Sequence, residues 1–255
     1  MLNSIVSVVM PAFNEEEIIS SSIKTTCNVL EKGQMNYELI VVNDGSHDQT
    51  FETAWKEAAK HNGHVKVVGY NPPNNGKGYA LKYGTAYAKG DYVLFLDSDL
   101  EIDPSNLSKY LKVVEGADLV IASKRHPDSK VDEPLTRRIM SFCFHMFVRL
   151  LTGVNVSDTQ AGLKGFRAES LKKILPLLSV KKYAFDVELL VVAKLHKMKV
   201  VELPVAISLK AGFKVGNIAR MFVDTLGIAY RLRVLHWYQR NINNQSPKHT
   251  HIIQW

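Results

Sequence analysis

Short β-branched runs alternate with longer amphipathic stretches through the first half of this chain, and that alternation leaves few folds open. IVSVVM runs into the turn PAFNEEE, ahead of a helix expected over about 15–32. YELIVV runs into NDGSHDQT, ahead of a helix expected over about 48–61. HVKVVGY is followed by the loop NPPNNGKG and a helix to about 89; DYVLFLDSD leads to a helix from Pro104 to about Glu115, and then to ADLVIASKR. Pro104 suits a first helical turn, where its missing N–H would have no intrahelical partner. Strands apolar at consecutive positions are covered on both faces, and joining them through helices gives a doubly wound, mostly parallel α/β sheet. Such sheets bind ligands outside the carboxyl ends of their strands. Three polar clusters fall there: Asn14, Glu15 and Glu16; Asp44, Gly45 and Ser46; Asp97 and Asp99.

The second half changes character after SKRHPDSKVDEP, whose length and fixed charge read as a surface loop over the sheet edge (about 125–134) and not as a domain linker. A Phe- and Arg-rich helix over about 135–152 follows, then a strand-like TQAGLKGFR, a helix over 185–197 and a strand KVVELPVAIS. The last periodic stretch, NIARMFVDTLGIAYRLRVLHWYQR, precedes a polar tail. The expected division is a catalytic unit over 1–214, an amphipathic membrane-interface segment over 215–240 and a tail over 241–255.

In VLFLDSDLEID, acidic residues fall at every second position: Asp97, Asp99, Glu101 and Asp103. Exposed acidic loops are ordinarily just solvated, and a D-x-D arises by chance in a chain this long. Carboxylates gathered where a buried strand stops nevertheless repel one another unless a cation offsets them. An EF-hand is excluded, because the position that needs Gly is Ile102 and the one that needs a bidentate Glu is Ser108. On the ligand edge of this kind of sheet an Asp pair suits Mg²⁺ or Mn²⁺, which would neutralise a diphosphate. G-x-G-x-x-G is absent after the first strand, where the turn reads PAFNEE, and NNGKGYA is not G-x-x-x-x-G-K-[ST]. Transfer of a group from a nucleoside diphosphate therefore fits better than hydride or γ-phosphoryl transfer.

Lys and Arg total 32 against 25 Asp and Glu, a net charge of +7 that points to an anionic partner. Basic residues do not alternate with exposed aromatics in a compact recognition module, which argues against nucleic acid. Cys27 and Cys143 lack metal-ligand spacing and read as free thiols in a reducing compartment. The first residues, MLNSIVSVVMPAFN, lack a basic n-region and carry too short an apolar run for a signal peptide, and no uninterrupted apolar stretch is long enough to cross a bilayer.

Five segments in order, VSVVMPAFNEEE, IVVNDGSHDQT, NNGKGYAL, LFLDSDLEIDP and SDTQAGLKGFR, resemble the family-2 glycosyltransferases of the GT-A (nucleotide-diphospho-sugar transferase) fold. Within that family DTQAGLKGFR followed by YAFDVELLVVAK is most similar to the dolichyl-phosphate β-glucosyltransferases, with the mannosyltransferases close behind. The resemblance covers about residues 5–235. It implies that Asp44 contacts the base, that Pro11, Ala12, Asn14 and Glu16 wall the nucleoside pocket, and that Lys77 lies near ribose or phosphate. Asp97 and Asp99 would hold the metal, with Ser98 between them in the donor site. Glu101 stands where the mannosyltransferases often carry Gln two residues beyond the second Asp; it is a third ligand or a solvated acid at a helix start. Asp158, Gln160, Asp186 and Glu188 would border the sugar, with Asp186 as a catalytic group or a helix-start cap.

The implied acceptor is a polyprenyl phosphate. Its second ionisation lies near pKa about 6, so it is already a nucleophile at neutral pH and needs cations more than a base. Arg suits bidentate phosphate contact, which makes Arg125, Arg137 and Arg138 the candidates, with one of the adjacent pair facing solvent or headgroups. The donor is then UDP-glucose, or GDP-mannose in the alternative. Two readings of other classes stand beside this one: a transferase with a soluble or glycan hydroxyl acceptor, using Asp186 or Asp158 as general base, and a binder in which the Asp pair is idle. A bilayer-held acceptor implies a peripheral enzyme on the cytoplasmic face. It would dock through the helices near 135–152 and 216–240, where Ile218, Phe222, Leu226, Ala229, Leu232 and Leu235 recur at helical spacing. An integral-membrane partner or a homo-oligomer fits this picture equally.

Overall fold

A computed structural model describes residues 4–208 and 215–244. Seven strands form the central sheet: β1 (Ile5–Ala12), β2 (Asn36–Asp44), β3 (Val65–Tyr70), β4 (Tyr92–Phe95), β5 (Leu119–Ser123), β7 (Lys164–Arg167) and β8 (Val200–Pro204), in the order β3-β2-β1-β4-β7-β5-β8. Every pairing is parallel except those of β7, which runs antiparallel to both β4 and β5. The sheet is thus the mostly parallel α/β sheet expected, with one reversed strand inside it.

Period two along the strands divides the interior. Val8 and Met10, Leu39 and Val41, Leu94 and Leu96 join one core; Val9, Ile40 and Val42, Val93 and Phe95 join the other. The first core is closed by α1 (Ile19–Lys32), α2 (Thr50–Ala58) and α4 (Leu107–Val114), and the second by α3 (Lys77–Thr85), α5 (Leu135–Thr152), α6 (Ala168–Ile174) and α7 (Phe185–Leu195). Gly153, in the left-handed region at φ 67°, ends α5 as glycine C-caps do.

Several boundaries differ from those read in the sequence, each for a local reason. Helix α1 starts at Ile19 and not near 15, because Asn14 takes φ 56° and the amides of Glu15 and Glu16 donate to Thr50 Oγ1 and Asp48 Oδ2. Pro104 opens a 3₁₀ turn (Pro104–Asn106) capped by the Asp103 carboxylate, and α4 begins only at Leu107. The surface loop expected near 125–134 contains β6 (Lys130–Asp132). The strand expected over KVVELPVAIS divides at Val205, so that β9 (Ala206–Ser208) leaves the main sheet and pairs in parallel with β6.

The segment expected to lie apart from the catalytic unit is built into it. Helix α8 (Val215–Arg233) is separated from α9 (Trp237–Asn244) by a bend at His236, φ 47°. Ile228, Leu232 and the fully buried Tyr238 belong to the same core as α7. The Phe222 ring stands 5.2 Å from Phe144 and 4.8 Å from Phe147 of α5. The side chain of Ile218 and most of the tail, 245–255, lie outside the described residues.

Candidate active site

The loops that follow β1 and β2 are latched to each other. The Asn14 amide donates to Ser46 Oγ, its Oδ1 accepts from the His47 amide, and Glu16 Oε2 accepts from the Gln49 amide. Asn14 and Glu16 therefore hold the loops after β1 and β2 in register. Asp44, buried at the end of β2, accepts from the Tyr70 hydroxyl, Asn74 Nδ2 (2.7 Å), the Asn75 amide (2.9 Å) and the Gly76 amide (3.0 Å). Both oxygens are engaged, so Asp44 fixes the loop 71–76 to the sheet edge. Gly76 itself sits at φ 100°, and a Cβ there would come within 2.7 Å of the Lys181 carbonyl oxygen, so only glycine fits this approach.

From that loop α3 begins at Lys77, and a chain of alternating charges crosses the sheet edge. The Lys77 ammonium lies 2.7 and 2.8 Å from the two oxygens of Asp97, just past β4, and 3.9 Å from Asp186 at the first turn of α7. Asp186 meets Lys164 of β7 at 2.8 Å, and Lys164, almost wholly buried, also donates to the Ala161 carbonyl. Burial alone would pull the Lys77 ammonium down, but Asp97 and Asp186 outweigh it and hold it above its ordinary value. The backbone closes tightly here: a Cβ on Gly162 would stand 2.1 Å from Asp97 Oδ2.

Beyond Asp97 the charges are only partly offset. Burial first, and then the Asp97 charge, push the Asp99 carboxyl up; burial and Asp99 do the same to Glu101. Glu15 is pushed up to about 7, by burial and then by Asp99, Asp48 and Asp97. Glu15, Asp99 and Glu101 line a cleft of about 960 Å³ whose far wall is the β6–β9 ribbon with Lys130, Asp132 and Ile207. Arg137, near the start of α5, approaches Glu101 at 3.7 Å.

The sequence-derived site divides on inspection. Asp97, Asp99, Lys77 and Asp186 come together, whereas Gln160 bonds locally, its amide to Asp158 and its Nε2 to the Thr159 carbonyl. Ser98 is buried and contributes its carbonyl, which accepts from Ser22 Oγ. Glu188 is not part of this group. It is fully buried on the far side of α7's first turn, bonded to Ser179, Val180, Arg231 and Tyr238. Asp158 is buried too, accepting from the Lys124 and Gln160 amides, and so shapes a turn. Arg125 donates to the Ser157 carbonyl (2.6 Å) and to Ser141 Oγ (3.1 Å), bracing α5 against that turn and not lining the cleft. Of the adjacent arginines, Arg137 leans toward the acidic loop and Arg138 is exposed.

One residue was missed: Lys164 lies in a strand-like stretch, and only the reversed insertion of β7 buries it against Asp186. Glu15 was placed on the ligand edge with Asn14 and Glu16, but only the fold brings it to Asp99.

Among the described residues, no three His, Cys, Asp or Glu side chains gather in a metal-holding arrangement. Glu101 as a third carboxylate ligand is therefore not supported; it lies beside Arg137 instead. Asp97 and Asp99 alone suit Mg²⁺ or Mn²⁺, which are content with one or two carboxylates when water and substrate phosphate supply the other positions. The uncompensated Asp99 is the kind of group such a cation relieves.

Comparison with known proteins agrees with this geometry. The family model described as Glycosyl transferase family 2 matches residues 7–175. A dolichyl-phosphate beta-glucosyltransferase of Trichomonas vaginalis is 31% identical over 244 residues, covering 90% of this chain and 72% of the relative. The Homo sapiens dolichyl-phosphate beta-glucosyltransferase is 31% identical over 213 residues, covering 78% of this chain and 66% of the relative. Among solved structures, glucosyl-3-phosphoglycerate synthase from Mycobacterium tuberculosis in complex with Mn²⁺, uridine-diphosphate and phosphoglyceric acid is similar with a TM-score of 0.66 at 22% identity, over 89% of this chain and 78% of that one. At that identity the likeness speaks for the fold.

Proposed function

We propose, from the premise that this chain belongs to glycosyl transferase family 2, that it moves glucose from UDP-glucose to dolichyl phosphate with inversion at the anomeric carbon. The observation that carries the acceptor class is that neither candidate general base is free. Asp186 is ion-paired to Lys164 and Lys77, and Asp158 is held by two backbone amides. A hydroxyl acceptor would need a base, for which the two acids the sequence offered are already engaged, whereas a phosphate acceptor needs none.

In this reading a phosphate oxygen of the acceptor attacks the anomeric carbon. A new carbon–oxygen bond forms as the bond to the nucleoside diphosphate breaks, and the diphosphate leaves with the electron pair. Mg²⁺ or Mn²⁺ held by Asp97 and Asp99 would supply positive charge to the diphosphate. Lys77 is the protein's own cation at that place, and Asp186 with Lys164 behind it fixes where the ammonium stands. Asp44 sets the loop 71–76 that borders the base. Arg137 is the arginine placed to meet an acceptor phosphate entering beside the acidic loop.

The acceptor's chain stays in a bilayer, and two helices are fitted to meet it. Among the described residues no helix is long and apolar enough to cross a membrane. On α5, however, Leu135, Ile139, Phe142, Met146 and Leu150 are exposed at steps of three or four, and Val223, Leu226 and Tyr230 of α8, with Val234 just past its end, repeat the spacing. The helices that carry these stripes pack against each other through Phe222, and in this reading both stripes meet the bilayer. Arg138 is exposed on the first turn of α5, which suits an anionic headgroup layer. The enzyme is thus read as peripheral, docked through α5 and α8.

The test is a panel of labelled nucleotide sugars offered with dolichyl phosphate and Mn²⁺ or Mg²⁺, in parallel with EDTA. Organic-phase product from UDP-glucose that disappears with EDTA is expected. Product from GDP-mannose alone would overturn the donor, and equal product on a soluble sugar acceptor would overturn the acceptor.

A further inference from the structure

Glu188 has no place at the acidic cleft, yet it is one of the most thoroughly bonded side chains in the protein. It is fully buried. Oε2 accepts from the Ser179 and Val180 amides, both at 2.7 Å. Oε1 accepts from Ser179 Oγ (2.8 Å), the Tyr238 hydroxyl (2.6 Å) and Arg231 Nη2 (3.2 Å). The donors come from two directions: the short segment before α7, and the C-terminal helices α8 and α9.

The segment before α7 leads directly to the donor side of the site. Its next residue, Lys181, accepts through its carbonyl from the Tyr79 amide in the first turn of α3 (3.0 Å). The same carbonyl is what a side chain at Gly76 would strike. Lys82 of α3 donates to the Leu178 carbonyl at the segment's other end. The start of α3, which carries Lys77, therefore rests on residues 178–182, and these rest on Glu188. Asp44 holds the same helix start from the sheet side through the Gly76 amide, and residues 178–182 hold it from the other.

We propose that Glu188 is a positioning residue: through residues 179–181 it places the first turn of α3, and hence Lys77, and it makes Arg231 of α8 and Tyr238 of α9 part of the support of the donor site. The helices that carry the exposed apolar stripes thereby also hold the diphosphate-side lysine in place. A bilayer engaging the outer face of α8 bears on the same helix whose inner face clamps Glu188. The role given to Lys77 rests on the donor reading above.

Mere adjacency does not establish coupling, so the test is a double-mutant cycle with a positional readout, made on the full chain. Glu188→Gln keeps the shape but replaces one acceptor oxygen with an NH₂ that faces donors. It is expected to weaken UDP binding, in the presence of Mn²⁺, by about tenfold, and Tyr238→Phe, which removes one hydroxyl, by about threefold. In a Lys77→Met background the same changes are expected to alter UDP affinity by less than about twofold, since no ammonium remains to be placed. Amide exchange at Tyr79 is expected to quicken at least about tenfold in both variants while β1 amides stay protected.

Equal losses in the two backgrounds, or exchange that quickens as much in β1 as at Tyr79, would reduce Glu188 to a general stabiliser and overturn the proposal. If Glu188→Gln does not fold, Tyr238→Phe carries the same comparison. Unchanged UDP affinity in Lys77→Met alone would count against the donor reading, and the exchange arm would still decide whether Glu188 sets α3.

Discussion

Glu15 offers the sharpest test of whether the acidic edge is built for a cation. Its carboxyl lies near Asp99, Asp48 and Asp97 and is pushed from an ordinary 4.5 up to about 7, with burial the largest cause. A carboxyl whose folded pKa is raised favours the protonated form in the fold. It therefore costs no stability below pH 4.5; the cost grows as pH rises toward 7 and is constant above that. At about 1.36 kcal/mol per pH unit, the rise corresponds to a ceiling of about 3 kcal/mol. Because the group is only about half buried, solvent screening reduces this to about 1–2 kcal/mol. Glu15→Gln removes the charge and leaves the backbone bond to Thr50 intact. In EDTA at pH 8 the variant is expected to melt about 2–8 °C above the parent, taking about 2–4 °C per kcal/mol for a chain of this size. At pH 4 the two should melt together, and saturating Mn²⁺ at pH 8 should shrink the difference by offsetting the same charges. A thermal melt followed by circular dichroism at the two pH values decides it. No gain at pH 8 without metal, or the same gain at pH 4, would refute the view that these carboxylates stand uncompensated.

Ending the chain at residue 214 removes Arg231 and Tyr238 and leaves Glu188 buried with only its Ser179 and Val180 partners. Breaking a buried charged cluster costs about 3–5 kcal/mol before the exposed core is counted, so the truncated chain is expected to melt at least about 10 °C lower or not to fold; melting within about 2 °C would show that α8 and α9 are dispensable. Gly162→Ala places a Cβ 2.1 Å from Asp97 Oδ2, which must yield. Transfer is expected to fall by about 100-fold, the scale of an ångström's misplacement at a reacting group, with the melting temperature changed far less; normal kcat/KM would remove Asp97 from the donor site.

The sheet was legible because its signal is local and repeated. Val8, Val9 and Met10, or Leu39 to Val42, are apolar without a break, and only strands covered on both faces ask for that. The polar residues after β1, β2 and β4 were legible as a site for the same reason, since parallel strands must end on one edge. The rest depended on contacts that no short window contains. β7 runs against its neighbours, so Lys164 comes to lie beneath Asp186, 22 positions along the chain. Glu188 finds its partners 43 and 50 positions away. The helical spacing of 216–240 was real, but one periodic stripe cannot say whether it faces lipid or core, and α8 has a stripe for each.

What sequence could least decide is which acids act and which merely brace, because both tasks use the same side chains. The structure sorts them by compensation. Asp44, Asp158 and Glu188 take their donors from backbone amides and side chains that nothing in the reaction needs to move. Asp97 and Asp186 take theirs from the ammonium groups of Lys77 and Lys164. Asp99, Glu101 and Glu15 lack a sufficient counter-charge and are pushed toward protonation. A carboxylate braced by amides is already stabilised as an anion and gains less from a cation, whereas one lacking compensation gains more from any cation that arrives. The gradient from Asp44 through Lys77 and Asp97 to Asp99 therefore runs from scaffold to binding edge. A chain with net charge +7 leaves negative charge uncovered at that edge, where a cation-bound diphosphate would enter.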